Sequence, residues 1–449
     1  MRTNLLETYS RQLKVAEAYV AKTFDGKEVS NNTKLATAVL LDNTNRWITE
    51  SLNSGIAGTT QSDLGAWKKF CLNLTNIAVP SLIANDLVIV HPMTSYSGSV
   101  AYLKYVALTD KNGMKGKTLN SVFGLGEMGE ARMNYTAQVV VEVVETEGEL
   151  SFTPDDAGFV IDGTEYKYKI DGEYTNTFKA GRVAYRSSEI TIDGTEVKGT
   201  GTVAYDGITG MKNVIPSIGP KMERIALVAE PRRIAVKYDQ ITAFQAKTDY
   251  GFSLDKQIAE QACGELAYEI DTEIVDMLYQ AAKTSSTKYN DAATMAKLTW
   301  SKTLPVGVSK FEHYNGFLEV IEEAKAIIYD RTKKFHPNYM VIGSGVLPVL
   351  KFVNGFSAAK AGKMNGPYKV GEIEGMSVYV SPNIGRMEFF MGLNGSDMMS
   401  SAGVYAPYMA IVPTQLLGTP DGALAQGFST WYAKALLNDA LLVAGKIAD

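Results

Sequence analysis

The spacing of apolar residues changes several times along the chain, and its most regular stretch predicts a long helix. Seven apolar residues recur at every fourth position, which is helical spacing. They are Leu254, Ile258, Ala262, Leu266, Ile270, Ile274 and Leu278. Steps of four overshoot each turn by roughly 40°, so the apolar stripe winds around the helix. We therefore expect a helix of ~40–45 Å that crosses several partners obliquely, with Ser253 as N-cap and Asp255 in the first turn.

The N-terminal residues also have helical spacing, but over a shorter distance. An amphipathic helix is predicted in "MRTNLLETYSRQLKVAEAYV", with one apolar side formed by Leu5, Leu6, Tyr9, Leu13 and Ala16. The Gly/Thr-rich stretch "NSGIAGTTQSD" then interrupts the apolar pattern. Residues 1–79 are therefore predicted to form an arm rather than a compact domain.

The middle of the chain changes to strand-like spacing. From about Tyr135 to Gly210, β-branched and aromatic runs alternate with Asp-Gly pairs at 162–163, 171–172, 193–194 and 206–207. Asp-Gly favours the positive φ angles of tight hairpin turns. These residues therefore predict an antiparallel all-β segment inserted over 134–215.

The remaining pattern mixes helices and strands without regular alternation. The run "MERIALVAEPRRIAVKYDQITAFQ" is strand-like, "NGFLEVIEEAKAIIYDRTKK" is helical, and "NYMVIGSGVLPVLKFV" predicts strand, turn and helix with Pro348 near the helix start. Four later strand-like runs are "MSVYVSPNI", "MEFFMGL", "YAPYMAIVPTQ" and "GFSTWYAKALL". The order predicts an α+β fold with an all-β insertion, not the βαβ alternation of nucleotide-binding enzymes.

Composition and charge narrow the classes of function. The chain of 449 residues has 45% hydrophobic and 21% charged residues, as ordinary globular proteins have. A net charge of -5 argues against nucleic acid as the main ligand, because phosphate binding needs a concentrated basic surface.

Cys71 and Cys263 are expected to be buried, reduced thiols. With neither a signal-peptide core nor an apolar run of ~20 residues, the chain is expected to stay in a cytoplasm and contact no membrane.

Two glycine motifs resemble phosphate-binding loops but lack the required context. "GLGEMG" at 124–129 matches G-x-G-x-x-G, yet the segment before it is a poor strand. "GMKGKT" resembles the end of a P-loop, but Lys111 stands where the first glycine is needed. We therefore expect no nucleotide cofactor.

Catalytic and metal-binding patterns are equally weak. His91, His313 and His336 have no partner at i+3 or i+4, and no serine lies in a G-x-S-x-G elbow. The acids of the long helix are interpreted as a solvated or interface-facing side. They are Glu260, Glu265, Glu269, Asp271, Glu273 and Asp276. We predict a protein that is not an enzyme, with no catalytic residue, cofactor or metal ligand.

The stretch "PSLIANDLVIVHPMTSYSGSVAYLKYV" raises the question of whether His91 is a catalyst or part of a hinge. Pro92 donates no backbone hydrogen bond and restricts His91 to extended geometry. The stretch is therefore interpreted as two strand-like runs that meet at a corner. It also resembles a segment of the major capsid proteins of myovirus-type tailed bacteriophages. The matching positions are Pro80, Leu82, Ile83, Ala84, Asp86, Pro92, Met93 and Thr94.

Four further stretches resemble the same family in the same order. They are "QITAFQAKTDYGFSLDKQIAEQACGELAYEIDTEIVDMLY", "MNGPYKVGEIEGMSVYVSPN", "GVYAPYMAIVPTQ" and "GFSTWYA". His91 departs from the family pattern, which usually has Gln at this position. The resemblance implies an HK97-like capsid fold and self-assembly into the icosahedral shell that encloses a phage genome.

The resemblance also implies a division of the chain and a set of partners. The predicted parts are an N-terminal arm (1–79), arm-to-extended-loop strands with a flexible loop (80–133), the β insertion (134–215), a peripheral domain with a spine helix (216–300), an axial domain (301–400) and C-terminal strands returning to the peripheral domain (401–449). The expected partners are further copies in hexamers, with pentamers left open, and other capsid, scaffold, portal or decoration proteins. Packaged DNA would be contacted only non-specifically, and the shell would be assembled in the bacterial cytoplasm.

Several alternatives remain open at this stage. The chain could form only the pentameric vertices of such a shell, or an encapsulin-like nanocompartment. In a different class, the β insertion could bind surface glycans or receptors. Prohead proteases often cut after [IL]-x-E, and Glu7, Glu50 and Glu260 all satisfy that pattern. Trimming of the arm is therefore undecided by the sequence.

Overall fold

The protein, seen as a computed structural model, divides into two compact units. The larger unit comprises Met1–Val100 and Arg224–Asp449, and the smaller comprises Ala101–Glu223. The structure describes residues 2–23, 29–53, 72, 79–80, 82–108, 116, 139–143, 159–161, 164–170, 173–175, 190–192, 195–197, 201–205, 217–249, 251, 254–288, 298–332, 334–359, 366–414, 417–418 and 423–448.

Helices and strands are mixed along the described chain. The helices are α1 (Arg2–Thr8), α2 (Ser10–Thr23), α3 (Asn31–Asn53), α4 (Ala84–Leu87), α5 (Gln240–Asp249), α6 (Leu254–Lys288), α7 (Lys310–Asn315), α8 (Phe317–Thr332) and α9 (Leu347–Leu350). The strands are β1 (Ile89–Val90), β2 (Ser97–Ala107), β3 (Val139–Val143), β4 (Phe159–Ile161), β5 (Thr164–Ile170), β6 (Glu173–Thr175), β7 (Ile190–Ile192), β8 (Thr195–Val197), β9 (Gly201–Tyr205), β10 (Ile218–Val228), β11 (Glu230–Asp239), β12 (Thr299–Ser301), β13 (Tyr339–Ile342), β14 (Ser357–Ala358), β15 (Tyr368–Ile373), β16 (Met376–Val380), β17 (Glu388–Gly392), β18 (Gly403–Pro413), β19 (Leu417–Gly418), β20 (Ala423–Leu436) and β21 (Val443–Ala448). The predicted α+β class is confirmed.

The strands from β3 to β9 in the smaller unit pair antiparallel. β4 pairs with β5, β5 with β6, and β7 with β8, each across a gap of two residues. Those gaps are the Asp-Gly pairs at 162–163, 171–172 and 193–194, which themselves lie outside the described residues. β3 pairs antiparallel with β9. The hairpins predicted from the Asp-Gly spacing are therefore confirmed for these three pairs of strands.

Helix α6 is the longest described element and confirms the winding apolar stripe. Its 35 residues span ~52 Å, which is more than expected because the helix continues past Leu278 through polar residues. Ala262, Leu266, Ile270, Ile274 and Leu278 of the predicted series are all buried. The predicted N-cap, Ser253, lies outside the described residues.

The first half of α6 packs against one sheet and its second half contacts two, as a winding stripe allows. Near its start, Ala262 and Leu266 contact Phe428 of β20 in one apolar cluster. Further along, Ile274 and Leu278 belong to a second cluster. The partners of that cluster lie on strands β13, β17 and β18 and include Tyr339, Val341, Phe390 and Tyr405. A single helix thus joins both sheets of the larger unit.

Seven strands that follow α6 in the chain form one sheet, in the order β12-β21-β17-β13-β16-β15-β14. Its central strand β13 is buried on both faces, which explains the uninterrupted apolar run "YMVI". Met340 and Ile342 face α8, whereas Tyr339 and Val341 face α6. Each such side chain removed from water contributes ~1.5–3 kcal/mol, so this layer supplies much of the core.

A second sheet follows the order β1-β18-β20-β11. Helix α3 of the N-terminal segment packs against its strand β18. Leu40 of α3 packs with Val79 and Ala410. Tyr9, Leu13 and Ala16 are buried as predicted, although Tyr9 itself separates α1 from α2. The N-terminal pattern is too broken to form its own core, and α3 instead uses β18 as its apolar partner.

One predicted strand is wrong. The strand-like run was expected to continue through "QITAFQ", but β11 ends at Asp239 and α5 begins at Gln240. Pairing of β11 with β20 also ends at Asp239. The Asp239 carboxylate accepts a hydrogen bond from the Ile241 N–H at 3.3 Å, which favours a helix start. From Gln240 onwards the chain no longer pairs with β20, and the Asp239 carboxylate caps a helix. These two effects together outweigh the local strand propensity.

Candidate functional site: the polar anchors of the long helix

Residues 91–93 extend the pairing of strand β1 with its neighbouring strand. Strand β1 pairs in parallel with β18, and the hydrogen bonds extend beyond it. The N–H of His91 donates to the Tyr405 carbonyl at 2.8 Å, and the N–H of Met93 donates to the Pro407 carbonyl at 2.9 Å. Pro92 lies between these two donors, where no donor is needed. Residues 91–96 join β1 to β2 as predicted, but the chain stays extended along β18 through Met93 and bends only at 94–96.

Helix α3 holds this segment beside β18 through one buried side-chain amide. The Asn43 Nδ2 group donates to the Met93 carbonyl at 2.8 Å and to the Tyr408 carbonyl at 2.7 Å. Asn43 is buried, and each of these carbonyls would otherwise lose its solvent partner. Sequence analysis missed Asn43, because an Asn within a helix has no signal that distinguishes a buried linker from a solvated residue.

Asp271 is the first of three polar residues through which α6 holds its neighbours. Its carboxylate is buried and accepts a hydrogen bond from the Ala84 N–H at 2.9 Å, at the first turn of α4. Two further bonds hold the same short helix, one from β16 of the seven-stranded sheet and one from the segment after β17. The Tyr379 hydroxyl donates to Asp86 Oδ2 at 3.2 Å, and Asn394 Nδ2 donates to the Asp86 carbonyl at 3.0 Å. The family-like "LIAND" stretch is therefore bonded to both α6 and the sheet.

Glu273 is the second such residue and joins α6 to two strands. Arg232 of β11 donates to both of its oxygens, from Nε at 3.0 Å and from Nη2 at 3.2 Å. Lys434 Nζ lies 2.9 Å from Oε2, and the Tyr432 hydroxyl donates to the same oxygen at 2.9 Å. A bidentate guanidinium and two further donors from β20 surround one carboxylate, the geometry in which charge-assisted bonds are strongest.

The electrostatics of this cluster follow from those contacts. Burial by itself would raise the pKa of Glu273, but the bonds from Lys434 and Tyr432 and the charges of Lys434 and Arg232 lower it below its ordinary value. Burial, followed by the hydrogen bond and charge of Glu273, raises the pKa of Tyr432 well above its ordinary value. Glu273 is therefore ionised and Tyr432 neutral at physiological pH.

Ser285 is the third residue and fixes the far end of α6. Its hydroxyl donates to the Leu442 carbonyl at 2.9 Å, and Arg331 Nη1 of α8 donates to the same carbonyl at 2.9 Å. Asp271, Glu273 and Ser285, here called the polar anchors, thus tie α6 to α4, to two strands and to α8. The prediction of a solvated or interface-facing side is wrong for Asp271, which is buried within the subunit, whereas Glu273 is partly exposed and bonded to β11 and β20.

The other residues considered for chemistry lie apart in the structure. His313 stacks on Trp300 with ring centroids 4.8 Å apart, and His336 stacks on Tyr329 at the same distance. Among the described residues, no group of three His, Cys, Asp or Glu side chains could hold a metal ion. Burial and the charge of Glu260 raise the pKa of Cys263 to about 12, so its thiol is neutral.

Some sequence motifs lie outside the described part of the chain. Cys71 and the whole of "GLGEMG" are in this group, as is "GMKGKT" except for Gly116. The three possible protease sites at Glu7, Glu50 and Glu260 all lie within helices, namely α1, α3 and α6. None of the described helices is long and apolar enough to span a membrane.

Comparison with known proteins assigns this architecture. The family described as "Major capsid protein Gp23" matches residues 64–447. The chain belongs to this family. It is a major capsid protein of a tailed bacteriophage and a structural component of the virion, as the sequence resemblance predicted.

Curated relatives of this capsid protein are distant but extensive. It is 22% identical over 404 residues to the major capsid protein of Escherichia phage AR1, across 84% of this chain and 76% of that protein. It is 20% identical over 411 residues to the major capsid protein of Enterobacteria phage T4, with the same two shares.

Two solved structures are similar to the capsid protein at low scores. A chain of Microbacterium phage Oxtober96 matches with a TM-score of 0.40 and 11% identity, over 82% of this chain and 91% of that chain. A virus-like particle from Pyrococcus furiosus matches with a TM-score of 0.30 and 12% identity, over 54% and 82%. The HK97-like α+β class predicted from the sequence follows from membership of the family, and the described elements agree with it.

Proposed function

We propose that this capsid protein assembles with its own copies into hexamers, with pentamers at the vertices, that close into an icosahedral shell around the genome. One observation carries the proposal. The polar anchors satisfy polar groups inside the larger unit, yet its surface leaves large apolar side chains in water. Val306 is fully exposed, Phe244 is 70% exposed and Ile241 is 64% exposed. Covering such residues gains ~25 cal/mol per Å², and closed symmetry repeats the gain in every copy.

We further propose the roles of the parts and partners. The boundaries are those given above, with an arm at 1–79, a spine-bearing peripheral domain at 216–300 and an axial domain at 301–400. The β insertion at 134–215 would brace neighbouring copies, and scaffold, portal or decoration proteins would bind the shell. The net charge of -5 favours only non-specific contact with DNA. The role is structural rather than catalytic, and assembly takes place in the bacterial cytoplasm.

Light scattering and negative-stain electron microscopy of the expressed full chain test this proposal. We expect rings of six copies, or closed shells, at high protein concentration. A strictly monomeric protein with no particles would contradict it. Rings of five copies alone would instead identify a vertex protein.

A further inference from the structure

A stretch of twelve consecutive residues, 301–312, is exposed throughout and includes several apolar side chains. Val306 is fully exposed, Phe311 is 52% exposed and Leu304 is 46% exposed. Val308 is exposed as well. Leu304, Val306, Val308 and Phe311 are here called the turn surface. Single exposed apolar residues are common, but four within eight residues form a patch that calls for an explanation.

The backbone holds this patch in a defined conformation. The Val308 N–H donates to the Pro305 carbonyl at 3.4 Å, and Gly307 has a φ of +88°, as the third position of a type II turn requires. Ser309 and Glu312 then form a reciprocal capping box at the start of α7. The turn therefore fixes Val306 at its tip, where it meets water instead of the core.

Cations border the turn surface. Lys302 and Lys310 are both exposed and lie on either side of the turn in sequence. Lys310 Nζ is 5.4 Å from the ring centroid of Tyr314 and 5.6 Å from that of Phe352. With two lysines against the single carboxylate of Glu312, the stretch 301–312 carries a net charge of +1.

The outer side of α8 has the opposite charge. Its inner side is buried, whereas Glu319, Glu322, Ala326, Tyr329 and Asp330 are exposed along its outer side. These five residues are here called the α8 face. Lys325 pairs with Glu322 at 2.6 Å, which leaves the face acidic around the apolar Ala326 and Tyr329. The face and the turn surface belong to the same unit, yet Val306 is fully exposed and so does not cover its own α8.

We propose that the turn surface of one copy docks on the α8 face of the adjacent copy within a ring, a contact that rests on the proposed assembly into rings. Two different, complementary surfaces on one chain give a head-to-tail contact, and rotation then closes it into a ring. A standard interface involves ~20–30 residues on each side, so the four apolar side chains of the turn surface supply one part of the ring interface.

Charge reversal in the full-length chain tests the pairing of these two surfaces. Val306→Asp, the double variant K302E/K310E and the double variant E319K/E322K are each expected to lower the fraction of protein in rings at least ~10-fold, because like charges meet or an apolar contact is lost. The quadruple variant that carries both reversals restores the opposite charges and should return to within ~3-fold of the wild type. Val15→Asp, at a 53% exposed valine of α2, is the matched control and should assemble normally.

Each outcome of this experiment has a defined meaning. Circular dichroism and thermal melting first establish that every variant is folded. Rings of Val306→Asp at the wild-type level would overturn the proposal. Loss of rings in both double variants without recovery in the quadruple variant would overturn the α8 face as the partner. Failure of the wild type to form rings would instead refute the proposed function.

Discussion

Helices α6 and α8 have similar sequence patterns but use their acidic residues in opposite ways. Each has an apolar stripe and several carboxylates away from it. On α6, Asp271 is buried and Glu273 is surrounded by Arg232, Tyr432 and Lys434. On α8, Glu319 and Glu322 are exposed. The two helices show that the role of a helical carboxylate depends on whether other elements of the fold supply hydrogen-bond donors to it.

The difference arises from the position of each helix in the fold. Helix α6 lies between two sheets, so donors from α4, β11 and β20 reach its polar side as well as its apolar stripe. Helix α8 covers one face of the seven-stranded sheet, and its outer side faces away from that core. Asp271 and Glu273 of α6 therefore stabilise the subunit, whereas Glu319 and Glu322 of α8 face solvent.

The largest effect on this comparison is expected from Asp271→Ala. The substitution leaves the Ala84 N–H without the carboxylate that accepts its hydrogen bond, and an unsatisfied buried donor costs about 2 kcal/mol. Urea unfolding of the unassembled protein, followed by circular dichroism, measures the free energy of unfolding. Asp271→Asn keeps an acceptor oxygen and should lose less.

Asp276→Ala is the matched control for that measurement, because Asp276 is exposed on the same helix. It should change the free energy of unfolding by less than ~0.5 kcal/mol. Equal losses for Asp271→Ala and Asp276→Ala would show that the contact with α4 contributes nothing special.

A smaller effect is expected from Glu273→Gln, which removes the anion that Arg232 and Lys434 share. Because the carboxylate is partly exposed, solvent screening limits the loss to about 1 kcal/mol at pH 7. The pKa of Glu273 is lowered in the folded state, so its contribution is present above the ordinary glutamate pKa of about 4.3 and is lost as the pH falls through the folded value.

Thermal melting from pH 7 to pH 3 tests this pH dependence. The melting temperatures of wild type and Glu273→Gln should differ at pH 7 and converge as the pH falls through the lowered pKa of Glu273. Glu269→Gln, at an exposed position of α6, should follow the wild type throughout. A constant gap between wild type and Glu273→Gln down to pH 3 would contradict an ionised Glu273 as the cause.

The smallest effect is expected from E319Q/E322Q on α8. Both side chains are exposed, and Glu322 forms only a surface pair with Lys325, so the free energy of unfolding should change by less than ~0.5 kcal/mol. Urea unfolding of the unassembled protein measures this directly. A loss as large as that of Asp271→Ala would show that the α8 face supports the subunit itself.

Periodic features of the fold were predictable from the sequence. The stripe from Ala262 to Leu278 and the Asp-Gly hairpins repeat a local rule, so each position supports the next. The extended geometry of His91 was predictable too, because proline restricts the residue before it, but the bend lies at 94–96. The wrong strand at "QITAFQ" marks the limit of this approach, since the end of a strand depends on where its partner ends.

The sequence by itself determined the long helix, the hairpins, the family resemblance and the extended geometry of His91, because each depends on neighbours along the chain. Only the tertiary structure decided which polar residues matter. Asn43 reaches carbonyls 50 and 365 residues away, and Asp271 accepts a bond across 187 residues. No local spacing encodes such partners, since they are brought together by packing of the apolar faces. The structure also revealed that Val306 is held outward on a defined turn, which the pattern of "KTLPVGVS" alone left unspecified.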